Sequence, residues 1–209
     1  MLVDLTIKEF LAELKSDSPA PGGGSAAALA GAVGASLAAM VGNLTRGNGK
    51  YQDVQAEVEA ILPQLNNQLA KLEQYIDEDT AVFNQVMAAY RLPKATDDEK
   101  LARSKAIQQA LKGAAALPMS VAELCQDVLV LSGRMLVIGN TNAASDAAVA
   151  GRMAHTAMWG AIYNVRINLD SIKDQDFVAA MKEQIKTVTE KGEVALVELL
   201  AEADRKIGV

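Results

Sequence analysis

The stretch SPAPGGGSAAALAGAVGASLAAMVGNLT, residues 18–45, decides the fold. Two prolines and three consecutive glycines break the chain between Ser18 and Ser25. Proline fixes φ, and glycine permits a close backbone approach to something else. From Ser25 to Thr45 no residue is charged, and 21 uncharged residues are enough to span a bilayer. The composition points instead to a buried core helix. The large apolar members are only Leu29, Val33, Leu37, Met40, Val41 and Leu44, and the alanines, glycines and serines between them gain little from lipid. Leu29, Val33, Leu37 and Val41 recur every fourth position, with Ala30, Gly34, Ala38 and Gly42 beside them. That smooth stripe lets a second helix come unusually near.

The same helical period runs outward from this segment, with no convincing alternation of strand residues. Upstream, Thr6-Ile7-Lys8-Glu9 has the form of a capping box and predicts a short helix. Downstream, Arg46-Gly47-Asn48-Gly49-Lys50 forms a turn. A helical tract from Tyr51 to Tyr90 follows, with a break or kink at Pro63 and an inward stripe of Leu65, Leu69, Leu72, Ile76, Phe83, Val86 and Tyr90. Asp97-Asp98-Glu99 supplies the acidic first turn of a helix interrupted or kinked near Pro118. After the loop Gly139–Asn142, Ser145 is placed to cap a helix to about Asn168, and a last helix covers about Gln175 to Lys206. These elements predict an all-α, single-domain bundle over residues 1–209, with about five long helices and a short N-terminal one.

Composition narrows the function. Half of the 209 residues are hydrophobic but only 4% are aromatic, the difference being made up by 37 alanines and the aliphatics. One cysteine, Cys125, and one histidine, His155, build neither a disulfide framework nor a Cys/His zinc cluster; a metal site would have to rest on carboxylates, and the sequence shows no such cluster, so no metal is expected. A net charge of −6 argues against a general grip on nucleic acid. The N-terminus carries no secretory signal pattern, so a reduced, cytoplasmic setting is the simplest expectation. Gly42 to Gly47 has Walker spacing without the Lys-Ser/Thr that completes it, and Gly22-Gly23-Gly24 follows no strand, so neither indicates a nucleotide. What remains is a helix N-terminus under three glycines, suited to close backbone contact with a ligand.

Asp79 is the most informative carboxylate. It falls on the apolar stripe, three residues after Ile76 and four before Phe83, whereas Asp77 falls on a polar face with Glu73 and Asn84. A carboxylate so placed is either a structural cap or ion pair, or a functional group. Asp146 begins the Ser145 helix on a face shared with Ala150, Met153, Ala157, Asn164 and Asn168. It is either a first-turn acid favoured by the helix dipole or part of a site with the two amides. On the other side Arg152, His155, Trp159 and Arg166 form a cationic face with an aromatic. That face suits a polyanionic ligand or His155 as an acid or base, and the simpler reading is a solvated edge with a packed Trp.

Together these segments resemble the formiminotransferase-cyclodeaminase family, in its cyclodeaminase domain and the stand-alone methenyltetrahydrofolate cyclohydrolases. The likeness is carried by residues 18–25 with their Ala/Gly helix, Lys50-Tyr51, Asp77-Glu-Asp79 with Phe83, Ala89-Tyr-Arg-Leu-Pro-Lys94, Gly139-Asn140, Ser145-Asp146 and Asn164-Val-Arg-Ile-Asn-Leu169. The resemblance implies an all-helical homodimer and a folate substrate, polyglutamylated in some settings, with no metal or nucleotide cofactor. It implies Asp79 and Asp146 as catalytic carboxylates. Pro21, Gly22, Gly23, Gly24, Ser25, Arg46, Lys50, Tyr51, Arg91, Lys94, Asn140, Asn164 and Asn168 are then the expected substrate-binding residues. Arg46, Lys50, Arg91 and Lys94 stand at helix ends, where they can pair with glutamate carboxylates.

Two reactions are then expected. In cyclohydrolysis, water adds to the methenyl carbon; in cyclodeamination, N10 closes onto a formimino carbon and expels ammonia. Both move protons around one carbon between two nitrogens, work a carboxylate performs. The chain has no room for a fused formiminotransferase domain, which favours cyclohydrolysis. A reading of another class, a non-catalytic dimeric helical scaffold, expects Asp79 to be satisfied structurally and no folate-sized cleft to exist.

Overall fold

The computed structural model describes residues 1–208. Six α-helices follow in order: α1 (Ile7–Leu14), α2 (Gly23–Thr45), α3 (Gln55–Tyr90), α4 (Asp97–Ile138), α5 (Ala144–Leu169) and α6 (Gln175–Ile207). Short 3-10 turns cover Leu2–Asp4, Gly49–Val54 and Thr141–Ala143. The all-α architecture is therefore the one the periodicity predicts. α2 packs on α3, α4 and α5, and α6 closes the far side against α4 and α5.

The ends of the helices follow local chemistry. Thr6 and Glu9 form the expected capping box at α1, and Thr96 with Glu99 forms a second at α4 that the acidic run had hidden. Asp174 caps α6 by accepting from the Phe177 amide at 3.1 Å. Two expectations are corrected. Pro63 and Pro118 do not interrupt their helices, each of which runs on as one element. Ser145 is not a cap: Asn140 caps the 3-10 turn that leads directly into α5, so Ser145 already lies in the first turn.

The close approach that the Ala/Gly stripe predicts is present at α2, where the small residues, not the large ones, face the core. Ala28, Ala35 and Ala38 are fully buried, and the glycines at 31, 34 and 42 are buried too, whereas Val33, Met40 and Leu44 point to solvent. The cause is backbone proximity. A Cβ at Gly34 would stand 2.9 Å from the Ala150 carbonyl oxygen and 3.3 Å from the Ala154 nitrogen, so α2 and α5 lie nearly backbone to backbone there. Gly23 meets Asn164, Gly160 meets Ala27 and Gly34 meets Ala150, so the two helices run antiparallel. Only the fourth of the every-fourth-position residues, Val41, is buried.

The α3 stripe also divides. Leu65, Leu72 and Ile76 are in the core, but Phe83 and Val86 are only half-buried and Tyr90 is 44% exposed. Beyond Ile76 only Ala89 of α3 is buried in the core, and Val82, Phe83 and Val86 border a cleft.

Gly34→Ala pushes a methyl group into the α5 backbone, which cannot move away as a flexible side chain does, and is expected to cost about 1–3 kcal/mol. Gly113→Ala, on an exposed face of α4 with nothing within 4 Å of the new methyl, is expected to gain about 0.5–1 kcal/mol. Urea unfolding of both variants checks the pair, and a neutral Gly34→Ala would refute the close α2–α5 approach.

Candidate functional site

The cleft lies at the N-terminus of α2. Its volume is about 290 Å³, and it is lined by Gly22, Gly23 and Gly24, by Asp79, Val82, Phe83 and Val86 of α3, by Ala114, Leu117 and Pro118 of α4, and by Asn164, Ile167 and Asn168 of α5, with Pro19 and Ala20 at its rim. Four segments distant in sequence therefore converge there.

Asp79 reaches α2 from α3. Its Oδ2 accepts from the Ser25 amide at 2.9 Å and lies 3.1 Å from the Ser25 hydroxyl, satisfying a donor that the first turn of a helix leaves free. A Cβ on Gly24 would sit 2.0 Å from Asp79 Oδ1, so only glycine admits the carboxylate. A Cβ on Gly23 would meet Asn164 Nδ2 at 3.3 Å. The glycine block is thus explained by two side chains that lie against the helix backbone, one from each flanking helix. Among the described residues nothing hydrogen-bonds Asp79 Oδ1, and this atom is not sealed from solvent. Burial raises the Asp79 carboxyl above its ordinary range, and the two Ser25 hydrogen bonds draw it partly back.

Pro118 fixes the opposite wall. Proline has no N–H, so the carbonyl one turn earlier, at Ala114, loses its helical donor. Asn168 supplies the replacement, donating from Nδ2 to Ala114 O at 2.8 Å and to Asn164 O at 2.8 Å. Asn164 in turn donates from Nδ2 to Gly160 O at 2.9 Å. Carbonyl oxygens only accept, so both amides must present their NH₂ groups to the backbone, leaving each Oδ1 without a partner among the described residues. The residues lining the cleft thus include three with an unpartnered oxygen acceptor, Asp79, Asn164 and Asn168, between apolar walls, and among the described residues no cationic side chain lines it. Such a surface favours a ligand rich in N–H donors or carrying delocalised positive charge.

The structure separates the remaining expected residues. Pro21 and Ser25 are buried behind the cleft surface and do not line it. Arg91 and Lys94 are exposed on the turn after α3, and Arg91 lies about 8 Å along the axis beyond Val86 by helical rise. Arg46, Lys50, Tyr51 and Asn140 gather at the other end of α2, about 33 Å from Gly23 by the same measure. There the Tyr51 hydroxyl reaches Asn140 Oδ1 at 3.3 Å, and the Asn140 amide donates to Thr45 Oγ1 at 2.8 Å. Asp146, half-buried in the first turn of α5, is about 27 Å along that helix from Asn164. Asp79 and Asp146 therefore do not share a cleft within one chain. The Arg152–Arg166 face is structural: Glu193 of α6 lies 2.9 Å from His155 Nε2 and accepts from Trp159 Nε1 at 2.7 Å, while Arg166 covers the Trp159 ring. Val82, Leu117, Pro118 and Ile167 were not anticipated as lining residues, and the signal that was available is a proline inside an apolar helix.

Fold and cleft define an all-helical domain whose polar groups converge on one recess between four segments. The chain belongs to the formiminotransferase-cyclodeaminase family, whose sequence profile matches residues 6–187. It is 42% identical over 172 residues to the methenyltetrahydrofolate cyclohydrolase of Methylorubrum extorquens, covering 82% of this chain and 83% of that one. It is 34% identical over 198 residues to the pig formimidoyltransferase-cyclodeaminase, and spans 94% of this chain but only 37% of that longer protein. The crystal structure of formiminotetrahydrofolate cyclodeaminase from Thermotoga maritima matches with a TM-score of 0.89 at 30% identity, over 99% of this chain and 100% of that one.

A carboxyl whose pKa is raised on folding opposes folding when ionised. Asp79→Asn and the wild type are therefore expected to have matching stability below the carboxylate range, and the wild type to fall behind as pH rises through the elevated Asp79 pKa. Urea midpoints from acid to neutral pH measure this; parallel curves would show that Asp79 ionises as freely as in the unfolded chain.

Proposed function

We propose that the protein acts on the one-carbon unit held between N5 and N10 of tetrahydrofolate, with methenyltetrahydrofolate cyclohydrolysis as the reaction. The observation that carries this reading is the set of three oxygen acceptors facing an apolar cleft without a cation. The methenyl carbon shares a positive charge with two nitrogens, and a carboxylate flanked by amide oxygens stabilises that charge. Asp79 Oδ1 takes a proton from water as the carbon–oxygen bond forms and the cation is neutralised. When the bond to N5 breaks, N5 takes up that proton and the hydroxyl proton of the intermediate leaves to solvent, so one proton is released overall. The higher identity to the Methylorubrum cyclohydrolase favours this reaction. Cyclodeamination is the second reading, favoured by the end-to-end match to the Thermotoga protein; there a protonated Asp79 would donate to the departing ammonia.

Asp79 Oδ2 does cap α2, as a scaffold would require, but the free Oδ1 and the open cleft support an enzyme. In this reading Arg91 and Lys94, exposed on the turn after α3, pair with the glutamate tail, polyglutamylated or not. The reading includes no metal or nucleotide cofactor, no nucleic-acid or membrane partner, and a cytoplasmic setting suited to the free, buried Cys125.

The assembly in this reading is a homodimer formed on the outer face of α2. That face is uncharged and exposes Val33, Met40 and Leu44. It borders an apolar groove of about 500 Å³ whose rim includes Ile7, 80% exposed, and Leu11, 54% exposed. A two-fold axis near the middle of α2 would bring the partner's far end, which carries the second cluster of expected site residues, beside this cleft. Asp146, Arg46, Lys50, Tyr51 and Asn140 would then serve the site from the partner.

Purified protein is expected to accelerate the loss of methenyltetrahydrofolate near-ultraviolet absorbance over the spontaneous rate. Asp79→Asn should lower turnover by about 10²–10⁴ while the far-ultraviolet circular dichroism is unchanged. Formation of the same absorbance from formiminotetrahydrofolate would instead support cyclodeamination, and inactivity on both compounds would leave the scaffold. Val33→Glu, tolerated in a lone protomer because the side chain is exposed, is expected to yield monomers in sedimentation velocity; a dimer that survives it is not built on α2.

A further inference from the structure

Ser25 takes no part in lining the cleft, yet it is fully buried and its hydroxyl has two oxygen neighbours. One is the Ile76 carbonyl oxygen at 2.8 Å, and the other is Asp79 Oδ2 at 3.1 Å. A serine hydroxyl has one hydrogen, and a carbonyl can only accept. When that hydrogen points to Ile76, the lone pairs of Ser25 Oγ face Asp79 Oδ2. With the proton on Oδ1, Oδ2 is a neutral carbonyl oxygen that draws the hydroxyl hydrogen only weakly, whereas with the carboxyl ionised the lone pairs of Ser25 Oγ would face a charged oxygen, which is repulsive. When the hydrogen turns to Oδ2, the ionised carboxylate gains a second donor beside the Ser25 amide, and the Ile76 carbonyl keeps only its helical donor.

We propose that Ser25 is a positioning residue for Asp79: its single hydroxyl hydrogen rests on the Ile76 carbonyl when Asp79 is protonated and swings to Asp79 Oδ2 when Asp79 is ionised. The carboxyl is thereby held in one place, with Oδ1 toward the cleft, through both halves of a proton transfer. No heavy atom moves, since only the hydroxyl torsion changes, and the buried rotor admits no water that could substitute for it.

No other group shares this task. α2 has no charged residue from Gly23 to Thr45. On α3, Asp77 accepts from the Leu2 amide and Glu78 pairs with Gln74, so neither faces Asp79. The cleft face of α4 offers Ala114, Leu117 and Pro118, and that of α5 offers Asn164, Ile167 and Asn168. The segment before α2 offers Pro19 and Ala20. The proton affinity of Asp79 is therefore set by its burial and by Ser25.

The proposal rests on Asp79 being the group that exchanges protons with the substrate, but its test does not require turnover. Carbon-13 NMR of the aspartate carboxyls, with Asp79→Asn used to assign the resonance, gives the Asp79 midpoint directly. Ser25→Ala removes a donor available only to the ionised form, so the midpoint is expected to rise by about one pH unit, a tenfold change in proton binding. Ser25→Cys, a weaker donor of similar shape, is expected to fall between the two and serves in place of Ala should that variant not fold. Midpoints unchanged in both variants would overturn the proposal. In the absorbance assay, the acidic limb of the rate profile is expected to move by the same amount and in the same direction. A shifted NMR midpoint in a protein inactive on both folates would sustain the role of Ser25 and refute the folate reading.

Discussion

The cleft depends on how near the backbone of α2 comes to the helices around it. Side chains normally hold helix axes 8–10 Å apart, and glycine and alanine remove that spacer. At the N-terminus of α2 the gap is so small that an alanine at position 24 would overlap the Asp79 carboxylate. Halfway along, at Gly34, the backbone of α5 takes up the space instead. The closeness that packs the core thus delivers a carboxylate and an amide to the first turn of a helix, where free N–H groups and the positive end of the dipole await them. Packing and chemistry here are one constraint, because any residue that spread the helices would also withdraw the polar groups.

Pro118 shows the same economy on the other wall. A proline within a helix normally leaves an unpaired carbonyl, a cost that soluble proteins meet with water or a bend. In this chain Asn168 meets it, and in doing so fixes its own orientation. Because the NH₂ group is committed to the backbone, the oxygen left over faces the cleft. The polarity of the recess is therefore set from outside it, by the hydrogen bonds that the helices owe to one another.

Much of the fold was legible in the sequence because helical periodicity is a strong local signal. Thr6 with Glu9 marked a start correctly, and Asp79 stood out because a charge on an apolar stripe demands an account. Other features were illegible for equally physical reasons. Periodicity places residues on a face but says nothing about distance along the axis, so Asp146 and Asn164 shared a face on paper while standing nearly the length of α5 apart. The close approach at α2, by contrast, was legible in the stripe of Ala30, Gly34, Ala38 and Gly42, because only small residues let two helix backbones meet. A rule that ranks burial by hydrophobicity alone would have put Val33 and Met40 inside. Ser145 looked like a cap because its residue type suits one, but the 3-10 turn from Asn140 had already begun the helix.

The absence of any cation from the cleft wall bears on what happens after chemistry as well as before it. A recess furnished with one carboxylate and two amide oxygens ranks its occupants by charge: it grips a cation, and it loses much of that grip once the charge is gone. A ligand neutralised in place would be held chiefly by the fit of its rings against Val82, Phe83 and Leu117. Departure would then be hastened by the very step that consumed the cation, without any lid to open.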